Sequence, residues 1–232
     1  MAPRDWISFY NAKHSLIYVN DRHRDVHYRT IAQDVREYVP DGGNVMDYGC
    51  GEATSADLVA ERAGHLSLVE AASNVRASLT QRFGNNPKIS VLAPDEAAAK
   101  PDGSFDLIVL HSVAQYLKES ELDGLLAQFW RLLKPGALLI VGDIVPEKLN
   151  APLAAISLLR FAAANGFLVA AVGGLIRIIV SDYLTLKGSL GLTHYEEDAM
   201  LKKLRDAGFM AARAETNIGH NQWRMTFLAR RA

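Results

Sequence analysis

The stretch Val45-Met46-Asp47-Tyr48-Gly49-Cys50-Gly51-Glu52-Ala53 restricts the fold more than any other part of the chain. An apolar run ends in an acid, and two glycines follow with one residue between them. Thr54-Ser55-Ala56-Asp57-Leu58-Val59-Ala60 then reads as the opening of a helix. A strand that stops at a glycine turn and feeds a helix is the nucleotide-cradling corner of a doubly wound α/β sheet. Glycine takes the tight turn and lets a ligand approach without a Cβ in the way. A Gly-x-Gly alone carries little weight, so its meaning depends on the segments that follow it.

Those segments alternate. His65-Leu66-Ser67-Leu68-Val69-Glu70 reads as a second strand ending in an acid, and helix signals run from Ser73 to Phe83 before Gly84-Asn85-Asn86-Pro87. A third strand, Lys88–Leu92, runs into Ala93-Pro94-Asp95-Glu96. The turn Pro101-Asp102-Gly103-Ser104 delivers a fourth strand, Phe105–Leu110, which meets His111-Ser112. A helix from about Glu119 to Leu133 precedes Lys134-Pro135-Gly136, and Ala137–Asp143 is the fifth strand. Strands that are apolar throughout and alternate with helices predict a parallel sheet covered on both faces. Right-handed crossovers bring all strand C-terminal ends to one rim, where ligands of such sheets bind. Asp47, Glu70, Asp95, His111 and Asp143 therefore converge there.

On either side of this alternation the pattern changes. Residues 5–39 read as helical and aromatic, with Trp6, Phe9, Tyr10, Tyr18, Tyr28 and Tyr38. Val26, Ile31, Val35 and Val39 form an apolar face, and Pro40-Asp41-Gly42-Gly43 ends it. This segment is either a helical cap over one end of the sheet or a lid whose Tyr and His side chains close over a ligand. Residues 147–192 form an apolar insertion in which Phe161–Ile176 carries no charge for 16 residues. Spanning a bilayer takes roughly 20 apolar residues. One or two helices are expected there, serving as a lid over the rim, a contact with lipid or a long apolar substrate, or a dimer interface; Arg160, Arg177 and Lys187 flank it. Thr193-x-x-Glu196 reads as a capping box before a helix ended by Gly208. Strands near 211–216 and 225–229, joined by Asn217–Gln222, read as a hairpin that adds an antiparallel strand to the sheet.

Composition narrows the partners. The formal net charge is -1, so no basic field points to nucleic acid, and Cys50 is the single cysteine, which excludes an intramolecular disulfide and a zinc cluster. Met1–Trp6 carries no apolar signal region, so a cytoplasmic setting is expected.

A nicotinamide-binding sheet also runs strand, glycine turn, helix, acid, and Glu70 lies 19 residues after Gly51. Three features oppose that reading. Asp47 puts an anion where a pyrophosphate would lie, Thr54 stands where Gly-x-Gly-x-x-Gly needs its third glycine, and the terminal hairpin has no role in that architecture. A ligand with an amine and a sulfonium and no phosphate suits Asp47 better. Over roughly residues 26–146 and 193–229 the sequence resembles the class I S-adenosylmethionine-dependent methyltransferases. Asp47-Tyr48-Gly49-Cys50-Gly51-Glu52-Ala53 resembles that family's Asp-x-Gly-Cys-Gly-x-Gly motif, with Ala53 in the last glycine position. Pro101–Ile108 resembles the stretch entering strand four, and Leu132-Leu133-Lys134-Pro135-Gly136-Ala137 the Leu-Lys-Pro-Gly-Gly before strand five. The family's Gly-Asp after strand three is displaced, with Pro94 at the aligned position and Asp95 one residue later.

The resemblance implies an α/β, Rossmann-like, doubly wound, mostly parallel seven-stranded sheet with an antiparallel last strand and a helical insertion after strand five. It divides the chain into a cap (1–40), a cofactor-binding α/β domain (41–146 with 193–232) and the insertion (147–192). It implies S-adenosyl-L-methionine as cofactor, giving S-adenosyl-L-homocysteine, and methyl transfer to a small-molecule or lipid-like acceptor. The implied cofactor residues are Asp47, Tyr48, Gly49, Cys50, Gly51, Glu70, Ala71, Asp95 and Tyr28, with Glu70 on the ribose hydroxyls. His111, at the end of strand four, is the candidate general base, or a wall of the site; Asp143, Tyr28, His194 and His220 are weaker candidates. No nucleic-acid partner is implied, while a peripheral membrane contact through 147–192 and a homodimer are open. A nicotinamide-dependent oxidoreductase and a non-catalytic cofactor-binding relative remain the alternatives.

Overall fold

The computed structural model describes residues 7, 8, 11, 18–148, 151–180 and 192–232, with the side chains of 151 and 176–180 excepted. Helix α1 (Asp21–Arg36) begins where the Asn20 side chain accepts the His23 N–H at 2.8 Å, satisfying one of the donors a helix start leaves free. This cap corrects the expected continuous helix over 5–39, because residues 18–20 form a bend before Asn20 restarts the chain. Trp6, Phe9 and Tyr10 lie outside the described residues.

From there strands and helices alternate: β1 (Asn44–Tyr48), α2 (Ala56–Arg62), β2 (His65–Val69), α3 (Ser73–Phe83), β3 (Ile89–Leu92), α4 (Pro94–Ala98), β4 (Phe105–His111), α5 (Glu119–Leu132) and β5 (Leu133–Ile144). The insertion supplies α6 (Ala151–Ala164) and α7 (Leu168–Val180), and the chain closes with α8 (Glu197–Asp206), β6 (Phe209–Arg213) and β7 (Met225–Arg231). The seven strands form one sheet in the order β3-β2-β1-β4-β5-β7-β6. Strands β1 to β5 are parallel, and β7 runs antiparallel to both β5 and β6. The order in which successive strands are added reverses between β1 and β4, the switch point at which ligands of such folds bind.

Both faces are buried, as the apolar strands require. Val45 faces α1, α2 and α3 together with Leu66, Leu107 and Val109, against Val35, Val59 and Leu79. The next residue, Met46, faces the other way with Ile108 and Leu110, against Leu122, Leu126 and Phe129 of α5 and Leu204 of α8.

Three boundaries differ from the sequence reading. Strand β5 starts at Leu133, before Lys134-Pro135-Gly136, because Leu133 pairs with Phe105 across a register irregularity. Thr193 does not cap α8. Its hydroxyl donates to the Leu117 carbonyl at 2.7 Å and its N–H to the Gln115 carbonyl, so the helix starts three residues later, after Glu196. Strand β6 begins earlier, at Phe209, immediately after Gly208 in the left-handed region (φ 92°).

Candidate functional site

The glycine turn after β1 is held by the end of β2. The N–H groups of Gly49 and Cys50 both donate to the Val69 carbonyl, at 2.7 and 3.2 Å. Gly49, Gly51 and Ala53 all have positive φ (75°, 58° and 40°), so the third glycine position of the motif is a strained alanine. A Cβ on Gly49 would lie 2.4 Å from Val113 Cγ2, and one on Gly51 2.5 Å from the Tyr28 hydroxyl. Tyr28 thus covers the turn, and its hydroxyl accepts the Glu52 N–H at 2.8 Å.

Glu70, at the end of β2, is buried with its carboxylate turned to the same loop. One oxygen accepts the Gly51 N–H at 3.0 Å and the other the Ala72 N–H at 2.8 Å. Each oxygen keeps a second lone pair for another donor. Asp47 has no hydrogen-bond or ion-pair partner among the described residues and is only partly exposed. Burial first, and the nearby Glu70 charge second, push its carboxyl up to about 7. An unpaired carboxylate held at that cost next to a glycine turn marks a place for a cation. Cys50 is buried, and burial with the Asp47 and Glu70 charges raises its thiol well above the ordinary value, which keeps it inert.

The other predicted residues separate. Tyr48 stands edge-on to Phe129 at 5.1 Å, within the core beneath the rim. Ala71 is half-buried, and its carbonyl accepts from Arg76. Asp95 lies exposed in the first turn of α4, and His194 is exposed before α8.

Across the switch point, His111 is buried with both ring nitrogens toward protein groups. Nε2 donates to the Ile218 carbonyl at 3.1 Å, and Nδ1 lies 3.1 Å from the Ser112 hydroxyl. Gly142 makes room for the ring, since a Cβ there would meet His111 Cδ2 at 2.7 Å. The Ser112 hydroxyl donates to Asp143 at 2.6 Å, and Arg224 also bonds that carboxylate. Burial alone would raise the Asp143 carboxyl. Arg224, His111, the Ser112 hydroxyl and His27 outweigh burial and hold it below its ordinary value. The loop between β6 and β7 is tied to this group: Asn217 accepts the Asp143 N–H and the Thr226 hydroxyl, and Gly219 N–H donates to Asp34 of α1.

Above this network lies a cluster of rings. His220 stacks on Phe161 of α6 (centroids 4.3 Å apart), His23 stacks on Phe167 (5.0 Å), and His27 touches Tyr18, Tyr28 and His220 within 6 Å. Burial, followed by the neighbouring histidines, lowers His23 to about 4 and His27 to about 3. Burial likewise lowers His220. Among the described residues no group of three or more His, Cys, Asp or Glu side chains is arranged to hold a metal. Sequence reading missed His23, His27, Ser112, Asn217 and Arg224. The four-residue spacing of His23 and His27 on one helix face is the signal that would have found two of them.

Residues 45–136 match the family model described as a methyltransferase domain. No curated protein matches the chain. Among solved structures it is similar to a chain of the complex described as that between the Haloferax volcanii Trm112 methyltransferase activator and the putative methyltransferase, at 13% identity over 99% of each chain with a TM-score of 0.63. It is similar to magnesium protoporphyrin IX methyltransferase from Synechocystis PCC 6803 with bound SAM, at 14% identity over 100% of each chain with a TM-score of 0.61. A third similar structure, a possible exported protein from Bordetella parapertussis, shares 15% identity over 88% of this chain and 66% of its own length, with a TM-score of 0.60.

Proposed function

From the methyltransferase domain at residues 45–136 as premise, we propose that this chain transfers a methyl group from S-adenosylmethionine to a small-molecule or lipid-like acceptor. The observation that carries the reading is the Asp47 carboxylate, unpartnered among the described residues, beside a glycine turn whose next support is Glu70. That arrangement fits a ligand with a positive amine near Asp47 and hydroxyls near Glu70. A pyrophosphate would meet both carboxylates, which argues against a nicotinamide cofactor.

The bound cofactor supplies a methyl already activated on a sulfonium, so the protein's work is alignment and exclusion of water. In this reading Asp47 holds the ammonium, and the second lone pairs of Glu70 accept the ribose hydroxyls. Tyr28 closes over the glycine turn, and Tyr48, Gly49, Cys50, Gly51 and Ala71 shape the cradle; exposed Asp95 lies at its edge. His111 forms a wall on the acceptor side. For an acceptor that must lose a proton, Ser112 passes it toward His111 Nδ1 or Asp143, because the one hydroxyl hydrogen serves either partner. The segments 1–40 and 147–192 act as cap and substrate-covering element around the central domain. The ring cluster between them favours an acceptor with an apolar body. The magnesium protoporphyrin IX methyltransferase to which the chain is similar carries bound SAM, which supports the same cofactor here.

The test is titration with S-adenosylhomocysteine by calorimetry, with NADH alongside and Glu70→Ala as variant. Binding that weakens tenfold or more in the variant, with NADH silent, is expected. Absence of S-adenosylhomocysteine binding to the folded protein would overturn the reading.

A further inference from the structure

Helices α6 and α7 expose large apolar side chains to water. Toward the protein, Ala162, Phe167 and Ala171 are buried, and Gly174 lies so close to Val19 that a Cβ would meet Val19 Cγ1 at 2.3 Å. On the other side Ile156, Leu168, Val169 and Val172 are exposed, Val169 by 88%. Residues 161–176 contain no charge at all. A helix against water carries polar residues on its outer face, whereas one that is apolar all round is covered by protein or by lipid. The two helices have 14 and 13 residues, short of the roughly 20 needed to span a bilayer. No helix among the described residues is long and apolar enough to cross a membrane.

Charge separates the possible covers. Residues 149–192 contain one acid, Asp182, against Arg160, Arg177 and Lys187. Arg160 is exposed on α6, and Arg22 reaches the Asn165 carbonyl at the turn between α6 and α7, so cations border the apolar face. Trp223, 52% exposed, stands in the loop whose His220 stacks on Phe161 of α6, a ring type that favours the boundary between water and hydrocarbon.

We propose that the α6–α7 hairpin docks the protein on an anionic lipid surface, with Ile156, Leu168, Val169 and Val172 in the acyl boundary and Arg160 and Arg22 at the headgroups. A second copy of the chain is a poorer cover. Val169 projects almost free of neighbours, a shape that fluid hydrocarbon accommodates and that a protein surface must match with an apolar socket. The docked hairpin would bring the ring cluster beneath it to the lipid boundary, giving an apolar acceptor a route in without passing through water. The docking itself does not depend on the identity of the cofactor.

The test uses the full chain in vesicle flotation, with phosphatidylcholine vesicles prepared with and without phosphatidylglycerol. Wild type is expected to float with the anionic vesicles. Val169→Asp is expected to reduce that binding tenfold or more, and Arg160→Gln to weaken it and flatten its salt dependence. Met210→Asp, an exposed apolar residue on edge strand β6, serves as control and is expected to bind like wild type. Failure of wild type to float would overturn the proposal, as would equal loss by Val169→Asp and Met210→Asp. So would a concentration-dependent dimer in sedimentation velocity that Val169→Asp abolishes without any change in vesicle binding. Calorimetry with S-adenosylhomocysteine on the same samples reads the cofactor proposal separately.

Discussion

The Ser112 hydroxyl donates to the Asp143 carboxylate across 2.6 Å, and both residues hold left-handed backbone angles, φ 60° and 62°. Ser112 directly follows β4 and Asp143 lies near the end of β5, so the bond ties together two strained corners at the rim. Non-glycine residues in that region cost of order 1–3 kcal/mol each and persist where surrounding contacts over-determine them. Here those contacts come from Arg224, Asn217 and His111.

Removing the bond without freeing the backbone is expected to destabilise. Ser112→Ala loses about 1.5–3 kcal/mol in urea unfolding, the effect of a hydrogen bond to a charged group. Ser112→Gly loses the same bond but relieves the left-handed strain, so it is expected to be no less stable than the alanine variant. A glycine variant clearly weaker than alanine would show that strain is not stored there.

Cofactor binding is expected to depend on pH through Asp47. With its carboxyl raised to about 7, the empty site is largely protonated in mild acid and holds a cation poorly. Affinity for S-adenosylhomocysteine therefore rises with pH up to about 7 and levels off just above it. Asp47→Asn is expected to bind weakly at every pH and to lose this rise, as read by calorimetry across a pH series.

Fold stability also falls in acid, through the histidines. His23, His27 and His220 have folded values below the unfolded one near 6.5. Their contribution is fully present above pH 6.5 and is lost as pH falls, toward about 4 for His23 and about 3 for His27, because the unfolded chain then binds protons that the folded one refuses. Asp47, raised in the fold, works the other way between about 7 and 4 and offsets one of these protons. Each uncompensated proton contributes about 1.4 kcal/mol per pH unit. His27→Phe is expected to flatten the fall in urea-melt stability between pH 6 and 4, and Asp47→Asn to steepen it.

Ala53, buried with φ 40°, occupies the last glycine position of the turn. An L-residue there costs about 1–2 kcal/mol. Glycine loses about 0.5–1 kcal/mol more in chain entropy. The difference favours Ala53→Gly by about 0.5 kcal/mol, a rise of one to two degrees in Tm for a chain of this size. A fall in Tm would mean that the alanine methyl is worth more in packing than its backbone costs.

The sheet was legible in the sequence because its signals are local. Each of β1 to β5 is an apolar run closed by a turn, and right-handed connection leaves few ways to arrange such runs. The glycine turn and Glu70 were legible for the same reason, with their partners 19 residues apart and joined by one strand–helix–strand unit. Boundaries set by distant partners were not. Thr193 carries a capping pattern, yet its hydroxyl is taken by Leu117, 76 residues earlier, and β5 reaches back through a proline because Phe105 pairs with Leu133.

By itself the sequence determined the alternation, the parallel order that brings acids to one rim, and the glycine turn at its centre. All of these follow from periodicity and from backbone freedom within a few residues. Tertiary structure alone decided how that rim is furnished. His111 is locked by Ile218, 107 residues away, and Asp143 by Arg224, 81 away. His23 and His220 meet across nearly the whole chain at 6.3 Å. Such contacts depend on how α1, α6 and the β6–β7 loop pack over the sheet, and that packing balances burial, hydrogen bonding and charge over many residues at once, which no local pattern encodes.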